Sequence, residues 1–569
     1  MPSIESPFAE TLNRLVTNDG VHLSKRAYVI LVLLCLAFFL PGLTSLPPVD
    51  RDEPLYAQAT KQMIETGNYT DIHFQQETRY KKPIGIYWLQ SASVKLFSPH
   101  KLNEIWAYRL PSLAGMTIAI VMTAALGALL FGPMTGFLAA LLLAGCVLLN
   151  AEARLAKTDA ALMACVMIAQ YTLAYAYRAR QQSQKVGWPL FFAFWTSQAF
   201  GFLLKGPILG IVTGLALIAL RLMDKRLDWF RALRPILGIA FALLLVLPWF
   251  VVISLSSHGQ FIAEAAGHDL LAKIWQGQLR GIMPPGLHFF VFPIAFYPAS
   301  LLTMGALPDV WRQRHEPFVR FLLCWIIPIW ILFEVSLTKL PHYVMPAYPA
   351  IAILTAKVFL DGFPFLKKRR SLKIAIIWVW CLIGLIGVMG TLILPYYFNA
   401  GITLISLMAV VAILYLLIVG IGIFDKPNFE SLIKIAGASL IYMALVFGTV
   451  FPSLSKVWLA QQVVDVANTV KPCGELNIVS AAYNEPSLAF LAGTHTRFLF
   501  DGDVAAKMIM ENRCLLALID WKHEKAFLDT FKNPAIQPLK VTSLEGPNIG
   551  SGRHIELSLY RMPKTDNAP

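Results

Sequence analysis

The chain has 569 residues, of which 57% are hydrophobic and only 14% charged, against about 25% charged in soluble domains. That composition excludes an ordinary soluble protein. The formal net charge of +14 does not point to nucleic acid, because Lys and Arg are scattered through short loops between apolar blocks, where they act as topology signals and attract anionic lipid.

The apolar blocks run to about 17–24 residues, enough to cross roughly 30 Å of hydrocarbon at about 1.5 Å per residue. The first, Ala27–Leu46, is followed by no small-residue cleavage site and reads as a retained span. About thirteen transmembrane helices fit an all-α polytopic protein, at 27–46, 112–131, 134–150, 160–177, 188–204, 207–223, 235–255, 287–306, 319–335, 343–360, 372–394, 402–424 and 432–451. With the N-terminus in the cytoplasm, the loops "RARQQSQK", "DKRLDWFRALR", "WRQRHEPFVR" and "LKKRRSLK" become cytoplasmic, as the positive-inside bias requires.

Residues 1–454 form the membrane domain on this reading, with an exported first loop at 48–109. From 455 to 569 the pattern changes. Strand-like runs ("LNIVSAA", "RFLF", "CLLALID") alternate with helical ones ("PSLAFLAG", "DVAAKMIMENR", "EKAFLDTF"), and a hairpin follows ("PLKVTSLE", "HIELSLY"). That order predicts a small periplasmic α/β domain. Five of the seven Cys lie in spans and read as small hydrophobes. Cys473 and Cys514 lie in the exported part, where an oxidising compartment permits a disulfide but sequence alone does not fix their distance.

Topology gathers the unusual polar residues on one membrane face. Asp52 and Glu53 follow the first span, and Glu152, Arg154, Lys157 and Asp159 join the third and fourth. Lys205 lies between the fifth and sixth. His268, Lys273 and Arg280 precede the eighth, and Lys339, His342 and Tyr343 join the ninth and tenth. Solvated loop residues account for any one group. They account less well for charges embedded in short apolar turns such as "NAEARLAKTD" and "LLKGP", where a deep charge costs up to about 2.5–3.5 kcal/mol. Cations at that face suit a lipid-borne phosphate. Carboxylates beside them suit activation of an acceptor or stabilisation of a developing oxocarbenium ion. No His-x3-His or similar ligand spacing occurs, so neither a catalytic metal nor another cofactor is expected.

The run "DRDEPLYAQATKQMIETGNYTDIHFQQETRYKKPIGIYWLQ" resembles the first exported loop of the GT-C-type, polyprenyl-phosphate-dependent glycosyltransferases. That superfamily includes the aminoarabinose transferases of lipid A, the galacturonosyltransferases of lipopolysaccharide and the protein O-mannosyltransferases. The segments "ARLAKTDAAL", "LLKGP" and "LTKLPHYVMPAYPAI" are similar to family segments too. The resemblance covers about 25–360 and implies the GT-C fold. It implies that Asp52 is the catalytic carboxylate, with Asp159 the second acidic position and Glu53 its partner. Lys82, with Lys273 or Arg280, would bind the carrier phosphate, and Tyr56 and Tyr80 would line the pocket. Lys205, His268, Lys339, His342 and Tyr343 complete the substrate-binding expectation.

The implied protein is a monomeric inner-membrane enzyme with its active site on the periplasmic side. It would move a sugar from a polyprenyl-phosphate donor to lipid A or lipopolysaccharide. The alternatives are transfer to Ser or Thr of a protein, or a flippase for lipid-linked sugars. A flippase predicts internal repeats and broken midplane helices, and no repeat is evident. A membrane scaffold accounts for none of the external acidic positions.

Overall fold

The computed structural model describes residues 7–18, 22–264, 284–532 and 537–563. All thirteen predicted spans fall on helices. Among the described residues, eight helices are long and apolar enough to cross a membrane. They are Ile105–Phe131, Thr158–Gln181, Pro235–Ser256, Pro317–Val335, Pro341–Asp361, Arg370–Tyr397, Leu404–Ile421 and Phe429–Val450. The other five segments are shorter, broken or less apolar. Lys25–Phe39, Pro133–Ala144 and Ile208–Asp224 are short, and Trp188–Lys205 is the less apolar one. The segment expected at 287–306 is two helices, Leu287–Ala295 and Ser300–Arg312, interrupted near Pro298. Proline removes the backbone donor that a continuous helix requires. The chain is a multi-pass membrane protein.

Two helices of the loop at 48–109 position the face of interest. Asp52–Thr66 begins where Asp52 and Glu53 favour the positive end of the helix dipole and Pro54 suits the first turn. Arg51 takes the N-cap position and Asp52 is the first helical residue. Gly67, with φ of 71°, ends the helix in the left-handed conformation that glycine adopts without strain. The second helix, Gly85–Phe97, leaves Trp88, Leu89, Leu96 and Phe97 exposed, the mark of a helix lying at the lipid interface.

The Thr158–Gln181 helix lies at the centre, with most of its length buried. Its partner Ile105–Phe131 approaches so closely that a Cβ on Gly115 would lie 2.6 Å from the Ala160 carbonyl oxygen. This contact fixes the height of Asp159, one residue before Ala160.

Beyond residue 455 the chain forms a five-stranded mixed sheet in the order Arg497–Leu499, Ile478–Ala481, Leu516–Asp520, Arg553–Arg561, Leu539–Asn548. The first three strands are parallel, and the last two form an antiparallel hairpin. The central strands Ile478–Ala481 and Leu516–Asp520 are buried throughout, because helices cover both faces. Leu459, Val463 and Leu488 pack on one side, and Ala505, Ile509 and Phe527 on the other. Cys473 and Cys514 are joined in a disulfide with Cα atoms 5.3 Å apart.

This layer rests on the loop at 48–109. Phe490 packs among Ala57, Ile105, Tyr108 and Ala156, edge-on to the Tyr108 ring at 5.3 Å. Gln58 Nε2 donates to Thr494 Oγ1 at 2.8 Å and Asn103 Nδ2 to the Leu491 carbonyl at 3.0 Å. Asp50 accepts from the Ser487 amide and hydroxyl at 2.9 and 2.6 Å.

Candidate active site

Two helix ends and a 3-10 turn meet at the site. Lys157 and Asp159 stand at the start of Thr158–Gln181, and Lys205 is the last residue of Trp188–Lys205. A carboxylate at a helix N-terminus facing a cation at a helix C-terminus suits both dipoles. The Gly206-Pro207 turn that ends the second helix has Gly206 at φ of 64°. The 3-10 turn Pro341–Ala347 brings in His342 and Tyr343.

The side chains form a continuous ionic chain. Lys157 Nζ donates to Glu152 Oε1 at 3.0 Å, and His342 lies 3.6 Å from Glu152 and 3.7 Å from Asp159. Lys205 Nζ donates to Asp159 Oδ1 at 2.5 Å and stands 5.8 Å over the Tyr343 ring. Glu152, Lys157 and Asp159 are all buried. Buried charges survive only when paired in this way.

Asp159, Lys205, His342 and Tyr343 line a cavity of about 670 Å³, as do Lys81 and Lys82. The rest of its lining is apolar and includes Leu162, Phe202, Phe250, Phe261 and Phe333. An apolar chamber with cations in its lining fits the phosphate end of a long-chain lipid.

Glu53 is only 1% exposed and does not face this cavity. One oxygen accepts from Arg109 Nε at 2.7 Å and the Ala156 amide at 2.8 Å. The other accepts from Arg109 Nη2 and the Val49 amide, both at 2.9 Å. Neither oxygen is left for a substrate, so the catalytic role expected for Glu53 gives way to a clamp between two loops. Asp52, its neighbour, is exposed. Tyr56 and Tyr80 are buried, with Tyr56 at 5.7 Å from the Tyr87 ring and Tyr80 at 5.7 Å from Phe261. Asp52 and Asp159 both act electrostatically on Tyr56, whose hydroxyl is raised by burial. Lys339 is buried but not among the cavity-lining residues. His268, Lys273 and Arg280 lie outside the described residues. Among the described residues no group of three or more His, Cys, Asp or Glu converges to hold a metal ion.

Sequence reasoning did not put Lys81, Arg109, Glu152 or Lys157 among the site residues. Lys81 adjoins Lys82, and Glu152 and Lys157 lie in the same charged turn as Asp159, so adjacency was an available signal for three of them. Arg109 sits inside an apolar run, where a lone charge is itself a signal.

The fold is of the GT-C type. The sequence likeness is to the arabinosyl transferases. The crystal structure of ArnT from Cupriavidus metallidurans bound to undecaprenyl phosphate superimposes with a TM-score of 0.72 at 17% identity, covering 94% of this chain and 98% of that one. Its apo form gives 0.70 at 18% identity, covering 93% and 97%. Residues 81–251 match the family described as dolichyl-phosphate-mannose-protein mannosyltransferase. The undecaprenyl phosphate-alpha-4-amino-4-deoxy-L-arabinose arabinosyl transferase of Pseudomonas paraeruginosa is 27% identical over 335 residues, 57% of this chain and 58% of the relative. An uncharacterized protein of Aquifex aeolicus is 26% identical over 361 residues, 63% of this chain and 67% of its own. The alignment with the Pseudomonas paraeruginosa relative thus spans less than two thirds of that protein.

Proposed function

We propose that the protein is an inverting glycosyltransferase that takes a sugar from a polyprenyl-phosphate carrier and passes it to a cell-envelope acceptor, lipid A or lipopolysaccharide core. The observation that carries this reading is the apolar cavity whose lining includes Lys81, Lys82 and Lys205, with Asp159 bonded to Lys205. The carrier's chain would occupy the apolar part, and the lysines would neutralise its phosphate as it leaves. An acceptor oxygen attacks the anomeric carbon, the bond from that carbon to the phosphate oxygen breaks, and Asp52 takes or orients the acceptor's proton. Asp159, held by Lys205, supports the sugar. A preorganised contact of this kind is typically worth about 2.7–4 kcal/mol of barrier. Glu53 acts as a positioning residue, since the helix it anchors also carries Asp52.

The reading includes an inner-membrane location with the site and the C-terminal layer on the periplasmic side. Two observations support that side: the basic loops at 178–185, 224–234, 311–320 and 366–373 each lie one helix away from a site segment, and the Cys473–Cys514 disulfide suits an oxidising compartment. The division of the chain near residue 455 and action as a monomer belong to the same proposal.

The test is mass spectrometry of lipid A, core and envelope glycoproteins from a strain lacking the protein. Loss of one sugar from lipid A or core is the expected result. Loss from a protein instead would transfer the assignment to the second reading, which the mannosyltransferase family match favours. An unchanged envelope would sink both.

A further inference from the structure

His288 stands in an apolar run, on the helix Leu287–Ala295, and its side chain is fully buried. An ionisable residue buried in a membrane segment is costly and calls for a role. Both ring nitrogens are in use. Nε2 lies 3.1 Å from the Leu340 carbonyl oxygen and Nδ1 3.1 Å from one Glu334 oxygen. A carbonyl only accepts, so Nε2 carries a proton and donates it. The other Glu334 oxygen accepts from the Gly286 amide at 2.6 Å, just before the same helix. His288 is not among the cavity-lining residues, and neither nitrogen is left for a substrate.

What His288 holds adjoins the site. The Leu340 carbonyl also accepts from the Tyr343 amide at 3.0 Å, at the start of the 3-10 turn Pro341–Ala347. Two donors thus fix one oxygen, and the turn that hangs from it presents His342 and Tyr343 to the cavity. The far end of the helix holds the facing segment. The Ala295 carbonyl accepts from Cys146 Sγ at 2.9 Å, and the Tyr297 carbonyl from the Val147 amide at 3.1 Å. Val147 begins the short helix that ends at Glu152. One nine-residue helix therefore spaces the two segments whose side chains, Glu152 and His342, stand 3.6 Å apart at the site. Apolar packing is non-directional, whereas a hydrogen bond to the carbonyl fixes both distance and direction.

We propose that His288 is a positioning residue for the cavity wall: by holding the Leu340 carbonyl it sets the turn that carries His342 and Tyr343. Glu334 acts on the ring from the other side and keeps Nε2 aimed at Leu340. The consequence for donor binding rests on the glycosyltransferase reading above, whereas the placement of the turn does not.

The test uses the full-length protein in phospholipid nanodiscs and two variants that each keep half of the imidazole's bonding. In His288→Gln the amide nitrogen stands near the place of Nε2 and still reaches Leu340. In His288→Asn it stands near the place of Nδ1, reaches Glu334 and leaves Leu340 unheld. Without donor, amide hydrogen exchange across 341–347 should be about tenfold faster in His288→Asn than in wild type, and within about twofold of wild type in His288→Gln. Undecaprenyl phosphate should bind His288→Asn about tenfold more weakly than wild type and His288→Gln within about threefold. Losing the ring costs packing in both variants, so equal exchange rates in the two would overturn the positioning role. Faster exchange in His288→Asn with unchanged affinity would overturn its bearing on the donor. Should His288→Asn not fold, His288→Gln decides: exchange like wild type's supports the role, and exchange about tenfold faster overturns it. If wild type does not bind undecaprenyl phosphate, the donor reading fails, and the exchange measurement still decides on His288.

Discussion

Glu53 and Arg109 meet in a buried two-point ion pair, with Arg109 Nε at 2.7 Å from one carboxylate oxygen and Nη2 at 2.9 Å from the other. The pair joins the end of the first span, through the Leu43 and Leu46 carbonyls, to the turn before Asp159, through the Ala156 amide. Adjacent residues of one Asp-Glu dipeptide thus have opposite surroundings. Removing one partner of a buried pair strands the other charge and typically costs about 3–5 kcal/mol. Glu53→Ala and Arg109→Ala should each lower the thermal midpoint of the purified protein sharply. Asp52→Asn, at an exposed position, should leave the midpoint nearly unchanged while abolishing transfer. A Glu53→Ala protein as stable as wild type would contradict the clamp.

The Lys205–Asp159 contact makes a second prediction, about donor binding. Lys205 ends one helix at the lipid cavity, and a charge-assisted bond to a phosphate oxygen is worth about 1.5–3 kcal/mol. Lys205→Met should therefore weaken undecaprenyl phosphate binding by roughly tenfold or more, measured by titration in nanodiscs. Lys82→Met should act in the same direction. Unchanged affinity in both variants would remove the lysines from the phosphate site.

Much of this arrangement was legible in the residues. Span positions follow from apolar blocks because hydrocarbon tolerates only helices or closed barrels, and topology placed Asp52, Asp159, Lys205 and His342 on one face. What the pattern did not carry was pairing. Glu53 and Asp52 are adjacent carboxylates in one dimension, and only the fold shows that Arg109, 56 residues away, claims one of them. Glu152 and Lys157 were seen as charges in a short turn, yet their link to His342 depends on a turn 190 residues later. The break near Pro298 was missed because the apolar run continues unbroken across it. The alternation of strand and helix after residue 470 was clear enough to locate every strand of the sheet. The contact of Phe490 with Ala57 and Tyr108 has no local signature.

The Cys473–Cys514 disulfide closes a loop with a sequence separation of 41. It ties the segment before the first central strand to the segment before the second, which pair in parallel register from Ile478 and Leu516. In the chain-entropy picture such a loop is worth about 4 kcal/mol. The Cys473→Ser, Cys514→Ser double variant should be cut within 455–563 by limited proteolysis much faster than wild type. The membrane helices, which do not depend on it, should keep their resistance. Equal cutting rates would show that the sheet holds without the bridge.

Asp50 gives the layer's docking a pH dependence. Its carboxylate is pushed up to about 7, first by burial and then by the neighbouring Glu485, against the lowering effect of its hydrogen bonds from Ser487. The ordinary value is 3.8, so between that and about 7 the folded protein holds a proton that the unfolded chain has released. Stability from this site is therefore full at acidic pH and is lost as pH rises through about 7. Glu485, also raised mainly by burial, works in the same direction. The thermal midpoint of the wild type should fall between about pH 4 and 7. Asp50→Asn keeps an acceptor for the Ser487 amide but has no proton to lose, so its midpoint should fall less over that interval and exceed the wild type's at the alkaline end. Parallel profiles for the two proteins would show that Asp50 does not titrate where its surroundings place it.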